Sequence, residues 1–254
     1  MAINIWKECA GEEYISSLSE TAWRIIESQE SSSTRKLVDS LDEQIVLEHM
    51  IEEVKPPLPI DCTDLHPLLY TPFRYPPLRY GSRFGKMHER SLWYGSLKLK
   101  TAMAELAYYR FIFLSASEAS YGVVVTQLTA FSVQIKTEHA IKLIEEPFSQ
   151  YTAIISSPLD YSSSQVSGTA MREVGVRAFN YISARDSESG INIGLFTPSA
   201  FAKKQPERNS FQSWQCVVDH RVVEFLRTSA IETDAYNFSI DKFLVNGVLP
   251  FPAM

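Results

Sequence analysis

The chain has 254 residues, 45% of them hydrophobic and 21% charged, with a formal net charge of −6 and a pI near 5.5. That length suits one sizeable core, or a main domain with a small appendage, and the acidic balance argues against a protein held to nucleic acid by its overall field. No run approaches the roughly twenty apolar residues of a membrane span, and the first residues lack a signal peptide's basic patch and apolar core. Three widely spaced cysteines, Cys9, Cys62 and Cys216, point to reduced thiols in a cytoplasmic protein and not to a disulfide scaffold.

Taken in order, Ile15, Leu18, Ala22, Ile25 and Ile26 recur at a spacing that predicts an amphipathic helix over residues 12–30. The SSSTRK stretch breaks it and offers Ser33 or Thr34 as cap of a second helix to about Glu53, with Leu37, Val38, Leu41, Ile45 and Met50 on its stripe. The prolines of KPPLP then stop it, because proline cannot continue the ladder. Two antiparallel helices cannot bury both stripes alone. Residues 1–58 are therefore expected to be a helical N-terminal extension, packed on a main domain of residues 59–254 or across a homodimer interface.

Residues 72–113 concentrate the polar chemistry. Arg74, followed by Tyr75, and Arg83 lie in Pro-, Gly- and Tyr-rich segments that turn tightly and present side chains. Two guanidiniums brought together could grip a diphosphate bidentately; taken singly, each reads first as an ordinary surface or ion-pairing arginine. With Arg79, Lys86 and Arg90 they form a cationic cluster in an acidic chain, which suits an anionic ligand smaller than a nucleic acid. Residues 91–99 read as a strand with Trp93, Gly95, Leu97 and Leu99 on one face and Tyr94, Ser96 and Lys98 on the other. Thr101 is the expected cap of a helix whose apolar positions include Ala102, Met103, Leu106, Tyr109, Ile112 and Phe113. Glu105 borders its inward face, either as a buried carboxylate that needs a partner or as an edge residue pairing with Arg110.

Further along, residues 121–135 read as one or two strands, 146–156 as a short helix and 162–174 as a longer one. Gly175 hands over to a strand ending at Ser183; a polar loop follows, and residues 191–196 resume an extended pattern. Residues 211–226 suit further strands, and residues 238–252 a tail docked by its Phe and Leu side chains. The pattern predicts an α+β domain with a twisted, mostly antiparallel or mixed sheet. Gly-x-Gly-x-x-Gly, P-loop and Gly-x-Ser-x-Gly signatures are absent, and the five histidines show no metal-ligand spacing, so no metal is expected.

Four strings in order, GSRF at 81–84, WYGS at 93–96, TAMAELAYYR at 101–110 and YISARDSESGINIGLF at 181–196, resemble the signature of RES-domain proteins. The resemblance spans about residues 69–225, with Ser183 standing where the motif's serine stands. It implies a fold similar to the catalytic domain of ADP-ribosyltransferases and a toxin that destroys NAD, restrained by an Xre-type antitoxin. By that resemblance Arg74 and Arg83 would hold the phosphates or ribose of NAD, with Tyr75 a second candidate there. Tyr94 would pack against nicotinamide, Glu105 would engage the adjoining ribose and Ser183 would complete the pocket. NAD would be a consumed substrate and not a cofactor, with inorganic phosphate or water as acceptor. The alternatives are an ADP-ribosyltransferase acting on a protein and a non-catalytic module that binds a nucleotide or partner.

Overall fold

A computed structural model describes residues 2–28, 34, 37–116, 122–229 and 234–251. Its strands are β1 (Ser16–Glu27), β2 (Trp93–Ser96), β3 (Val124–Lys142), β4 (Ala178–Ile182), β5 (Ile191–Leu195), β6 (Gln212–Val218), β7 (Val222–Arg227) and β8 (Ala235–Ser239). They form one sheet in the order β1-β2-β5-β4-β3-β6-β7-β8, and β1 also pairs with β3. The first five strands therefore close on themselves, which leaves them no free edge. The β3–β4 pairing is parallel and the others are antiparallel. Helices α1 (Ile5–Glu8), α2 (Leu41–Glu53), α3 (Pro67–Arg74), α4 (Leu99–Ser115), α5 (Thr152–Ile155) and α6 (Ser162–Glu173) complete an α+β fold.

β3 feeds both faces of the sheet, as the two-residue period of a strand allows. Phe131, Val133 and Ile135 enter one apolar cluster with Leu18, Ala22, Trp93 and Leu195. Leu128 and Ala130 point the other way, under Met103, Ala107, Tyr108 and Phe111 of α4 and beside Trp214 and Phe225. A third cluster joins Phe84, Phe179, Tyr181, Phe196 and Met171. The candidate site lies where α4 and the loop carrying Phe84 meet the closed part of the sheet.

The first expected helix is a strand. Leu18, Ala22 and Ile26 are four residues apart, a spacing that satisfies a period of two as well as one of 3.6, and Thr21, Trp23, Ile25 and Ile26 favour extended backbone. In β1 the two faces separate cleanly, Leu18, Ala22 and Ile26 into one cluster and Trp23 and Ile25 against another. Residues 16–27 of the expected helical extension are thus the antiparallel partner of β3.

The second expected helix exists but begins at Leu41, capped by Ser40 in a reciprocal capping box with Glu43. Thr34 lies ahead of it, and Ser33 lies outside the described residues. None of its residues is buried, and Leu41, Ile45 and Met50 are exposed instead of packing on the body of the chain. Its C-terminal end is tied down through Glu52, which receives Arg74 at 3.1 Å. Arg74 itself closes helix α3, with Pro67 in that helix's first turn, and does not sit in a tight turn. Helix α4 likewise starts earlier than expected, with Lys98 as N-cap; Thr101 falls inside the first turn and donates its hydroxyl to Asp186 at 2.7 Å.

Candidate active site

The sheet, α4 and the 82–85 loop enclose a cavity of about 240 Å³. β1 contributes Trp23, Arg24 and Ile25, the loop Ser82 and Arg83, β2 Tyr94 and Ser96, α4 Glu105 and Tyr109, and β5 Asn192. Tyr161, the residue before α6, and Tyr181 of β4 complete the aromatic walls.

Glu105 is the acidic group among the lining residues. It sits on α4 between the buried residues Ala104 and Ala107, half-buried itself. The hydroxyl of Ser183 and the side-chain amide of Asn192 both donate to its Oε1, each at 2.6 Å. Among the described residues Oε2 receives no hydrogen bond, so the carboxylate is anchored by one oxygen and open at the other. Ser183 in turn accepts the backbone N–H groups of Arg185 and Asp186, both at 3.1 Å. With those donors on its oxygen, the hydroxyl proton is directed at Glu105, and Ser183 anchors the carboxylate. Arg110, the other partner considered for Glu105, pairs with Glu27 at 2.8 Å.

Two guanidiniums line the same cavity. Arg83 is 8% exposed, donates to the carbonyls of Ile155 and Ser157 at 3.1 and 2.7 Å and lies 4.3 Å over the ring of Tyr161. Arg24 donates to the carbonyl of Tyr94 at 2.8 Å and lies 5.4 Å from the ring of Trp93. Burial lowers its pKa to about 10, so it is charged at neutral pH and gains from any anion brought beside it. Behind Tyr161 a third arginine, Arg185, donates to its phenol at 3.3 Å and stacks 3.5 Å over Tyr108. Arg74, Arg90, Arg110, Arg172 and Arg227 each have a carboxylate partner. Arg24, Arg83 and Arg185 form no ion pair among the described residues, and one carboxylate, Glu105, lines the cavity. Such a balance calls for an anionic ligand.

Tyr94 fixes the loop to the sheet. Its phenol oxygen accepts the N–H of Phe84 at 3.2 Å and shares a 3.0 Å hydrogen bond with Ser82. Burial raises its pKa, so the ring stays neutral at physiological pH.

The family profile described as RES domain matches residues 60–219. The chain belongs to the RES-domain family. No curated protein matches it. Three solved chains match, among them one from "Crystal structure of the M.tuberculosis MbcT-MbcA toxin-antitoxin complex", at 10% identity and a TM-score of 0.46, covering 83% of this chain and 91% of that one.

In this RES-domain protein the structure brings Arg83, Tyr94 and Glu105 to one cavity and sets Ser183 against Glu105. Arg74 and Tyr75 lie elsewhere. Arg74 donates to the carbonyl of Pro56 at 2.7 Å and pairs with Glu52, and the carbonyl of Tyr75 accepts the hydroxyl of Ser91 at 3.0 Å. Of the expected cationic cluster Arg83 lines the cavity, whereas Arg90 pairs with Asp61 at 2.7 Å and Arg79 lies over Tyr80. The arginine facing the cavity together with Arg83 is Arg24, from a strand outside the matched residues. Its signal was a lone cation between Trp23 and Ile25, hidden once the segment was read with a helical period. Asn192, a lone amide between Ile191 and Ile193, carried a similar signal. Among the described residues no His, Cys, Asp and Glu side chains group to hold a metal, and no helix is long and apolar enough to cross a membrane.

Proposed function

We propose that this RES-domain protein consumes NAD by cleaving the nicotinamide–ribose bond, and that it is a toxin held in check by an antitoxin. The observation that carries the reading is a carboxylate anchored through one oxygen in a cavity faced by two arginines without acidic partners. Nicotinamide leaves as a neutral molecule from a cationic ring, so no general acid is needed, unlike hydrolysis of an ordinary glycoside. The demanding event is the positive charge that builds on the ribose. The open oxygen of Glu105 meets that charge as it appears, and a contact that strengthens in the transition state accelerates the step. Arg24 and Arg83 supply two forks for the diphosphate. Tyr94, with Trp23, Tyr109, Tyr161 and Tyr181, offers aromatic faces for the bases; a pyridinium over such a face gains about 0.5–2 kcal/mol.

The acceptor in this proposal is inorganic phosphate or water. An antitoxin, by family precedent of the Xre type, would act by covering the cavity mouth. Purified protein incubated with NAD, with and without phosphate, and followed by proton and phosphorus NMR tests the reading. Free nicotinamide is the expected product, and its dependence on phosphate distinguishes phosphorolysis from hydrolysis. Radiolabel transferred to protein would support ADP-ribosylation instead, and NAD bound but unconsumed would support a binding module.

Arg24→Ala is expected to raise KM for NAD about tenfold or more while changing kcat less, as loss of a charged contact to the ligand should. Arg83→Ala should raise KM similarly, and both variants should lower the melting temperature, because the carbonyls of Ile155 and Ser157 lose Arg83 and that of Tyr94 loses Arg24. Initial-rate kinetics with thermal melts check both effects; an unchanged KM in Arg24→Ala would remove that residue from the site.

A further inference from the structure

We infer that Ser96 and Asn192 are positioning residues that hold Glu105 in its working orientation through a directed hydrogen-bond relay. This rests on the reading of the cavity as an NAD-cleaving site.

The relay is short and buried. Ser96 and Asn192 are each 2% exposed and stand directly opposite one another where β2 pairs with β5. The hydroxyl of Ser96 donates to Oδ1 of Asn192 at 2.6 Å, and Nδ2 of Asn192 donates to Oε1 of Glu105 at 2.6 Å. An amide has one accepting end and one donating end. Because Ser96 occupies the accepting end, the donating end must face the carboxylate. Without the Ser96 hydroxyl, the amide can turn and bring its oxygen against Glu105, an acceptor against an acceptor. The sheet register then sets the distance: strand pairing fixes both backbones, so neither side chain can follow the carboxylate if it swings.

Ser183 approaches the same Oε1 from the 183–190 loop, which is itself tied to α4 by Thr101 and Asp186. Two donors on one oxygen, one from the sheet and one from the loop, leave Oε2 as the oxygen presented to a ligand. Ser96 makes no hydrogen bond to Glu105; its effect on the carboxylate passes through Asn192. Rescue by a retained hydroxyl and a response of the Asn192 amide protons distinguish this role from simple core packing, which depends on side-chain volume and not on the donor.

The test is a double-mutant cycle on kcat with an NMR readout that needs no turnover. Asn192→Ala is expected to lower kcat about ten- to a hundredfold, the usual effect of losing a hydrogen bond to a charged group, with KM within about threefold. Ser96→Ala should lower kcat about tenfold, and Ser96→Thr, which keeps the hydroxyl, should restore most of it. The double variant Ser96→Ala/Asn192→Ala should be no slower than Asn192→Ala alone. In nitrogen-edited spectra the Asn192 side-chain amide should give a slowly exchanging proton pair in the unmodified protein that is lost or broadened in Ser96→Ala. If the two kcat losses multiply, or if Ser96→Ala leaves the amide pair unchanged, the relay is wrong. Should Asn192→Ala fail to fold, Ser96→Ala and Ser96→Thr carry the test by themselves. A protein that releases no nicotinamide from NAD refutes the functional reading, whereas the amide resonances still decide the relay.

Discussion

Glu105→Gln is expected to lower nicotinamide release from NAD on the order of 10³-fold, the scale on which enzymes depend on a group aimed at developing charge. The substitution separates charge from shape. The glutamine carbonyl can accept the donors that Oε1 now accepts, Ser183 and Asn192, so the anchoring survives. Its amide nitrogen replaces Oε2, placing a neutral donor where the ribose would need a negative oxygen. Because the side chain is half-buried and its anchors persist, the melting temperature should move by no more than about 2 °C. Initial rates together with a thermal melt check both halves; turnover within a few-fold of the parent would exclude Glu105 as the charge-stabilising group.

Gly168→Ala should have the largest effect on stability. Gly168 lies in α6 against the backbone of Phe84, and a Cβ there would stand 2.1 Å from the Phe84 carbonyl oxygen and 2.8 Å from its carbon. Backbone atoms cannot rotate aside as a side-chain tip can, so either α6 or the 82–85 loop must shift. Overpacking of this kind costs about 3 kcal/mol, which for a chain of this size corresponds to about 6–12 °C of melting temperature. The same displacement moves Arg83 from the carbonyls of Ile155 and Ser157 and from Tyr161, so KM for NAD should rise with the loss of stability. Gly122→Ala, where an added Cβ meets nothing within 4 Å, is the control and should be close to neutral. Equal melting temperatures for the two variants would show that α6 does not press on the loop.

The contrast between these sites explains what could be read from residues alone. Strands β2, β4 and β5 and helices α4 and α6 carry local periods that tertiary contacts do not override, and Glu105 and Ser183 fall within strings specific enough to mark them. The rest depended on information a local pattern lacks. Leu18, Ala22 and Ile26 fit a helix and a strand equally, and only the length of β3 available for pairing decides between them. A helical period over residues 12–30 gives Arg24 no distinct place, which leaves Arg74 as the expected partner of Arg83. Apolar residues on α2 indicated a buried stripe, yet periodicity reports only that a face exists and not that anything covers it. The pairing of Asn192 with Ser96 follows from the register of β2 on β5, across 96 positions of sequence.

A crystal structure of the Glu105→Gln variant soaked with NAD shows whether the cavity is the NAD site, since binding should outlast the loss of turnover. Intact NAD is expected in the cavity, its diphosphate held by Arg24 and Arg83 and the nicotinamide ribose hydroxyls against residue 105. NAD bound elsewhere on the protein, or an empty cavity at saturating NAD, would contradict that expectation.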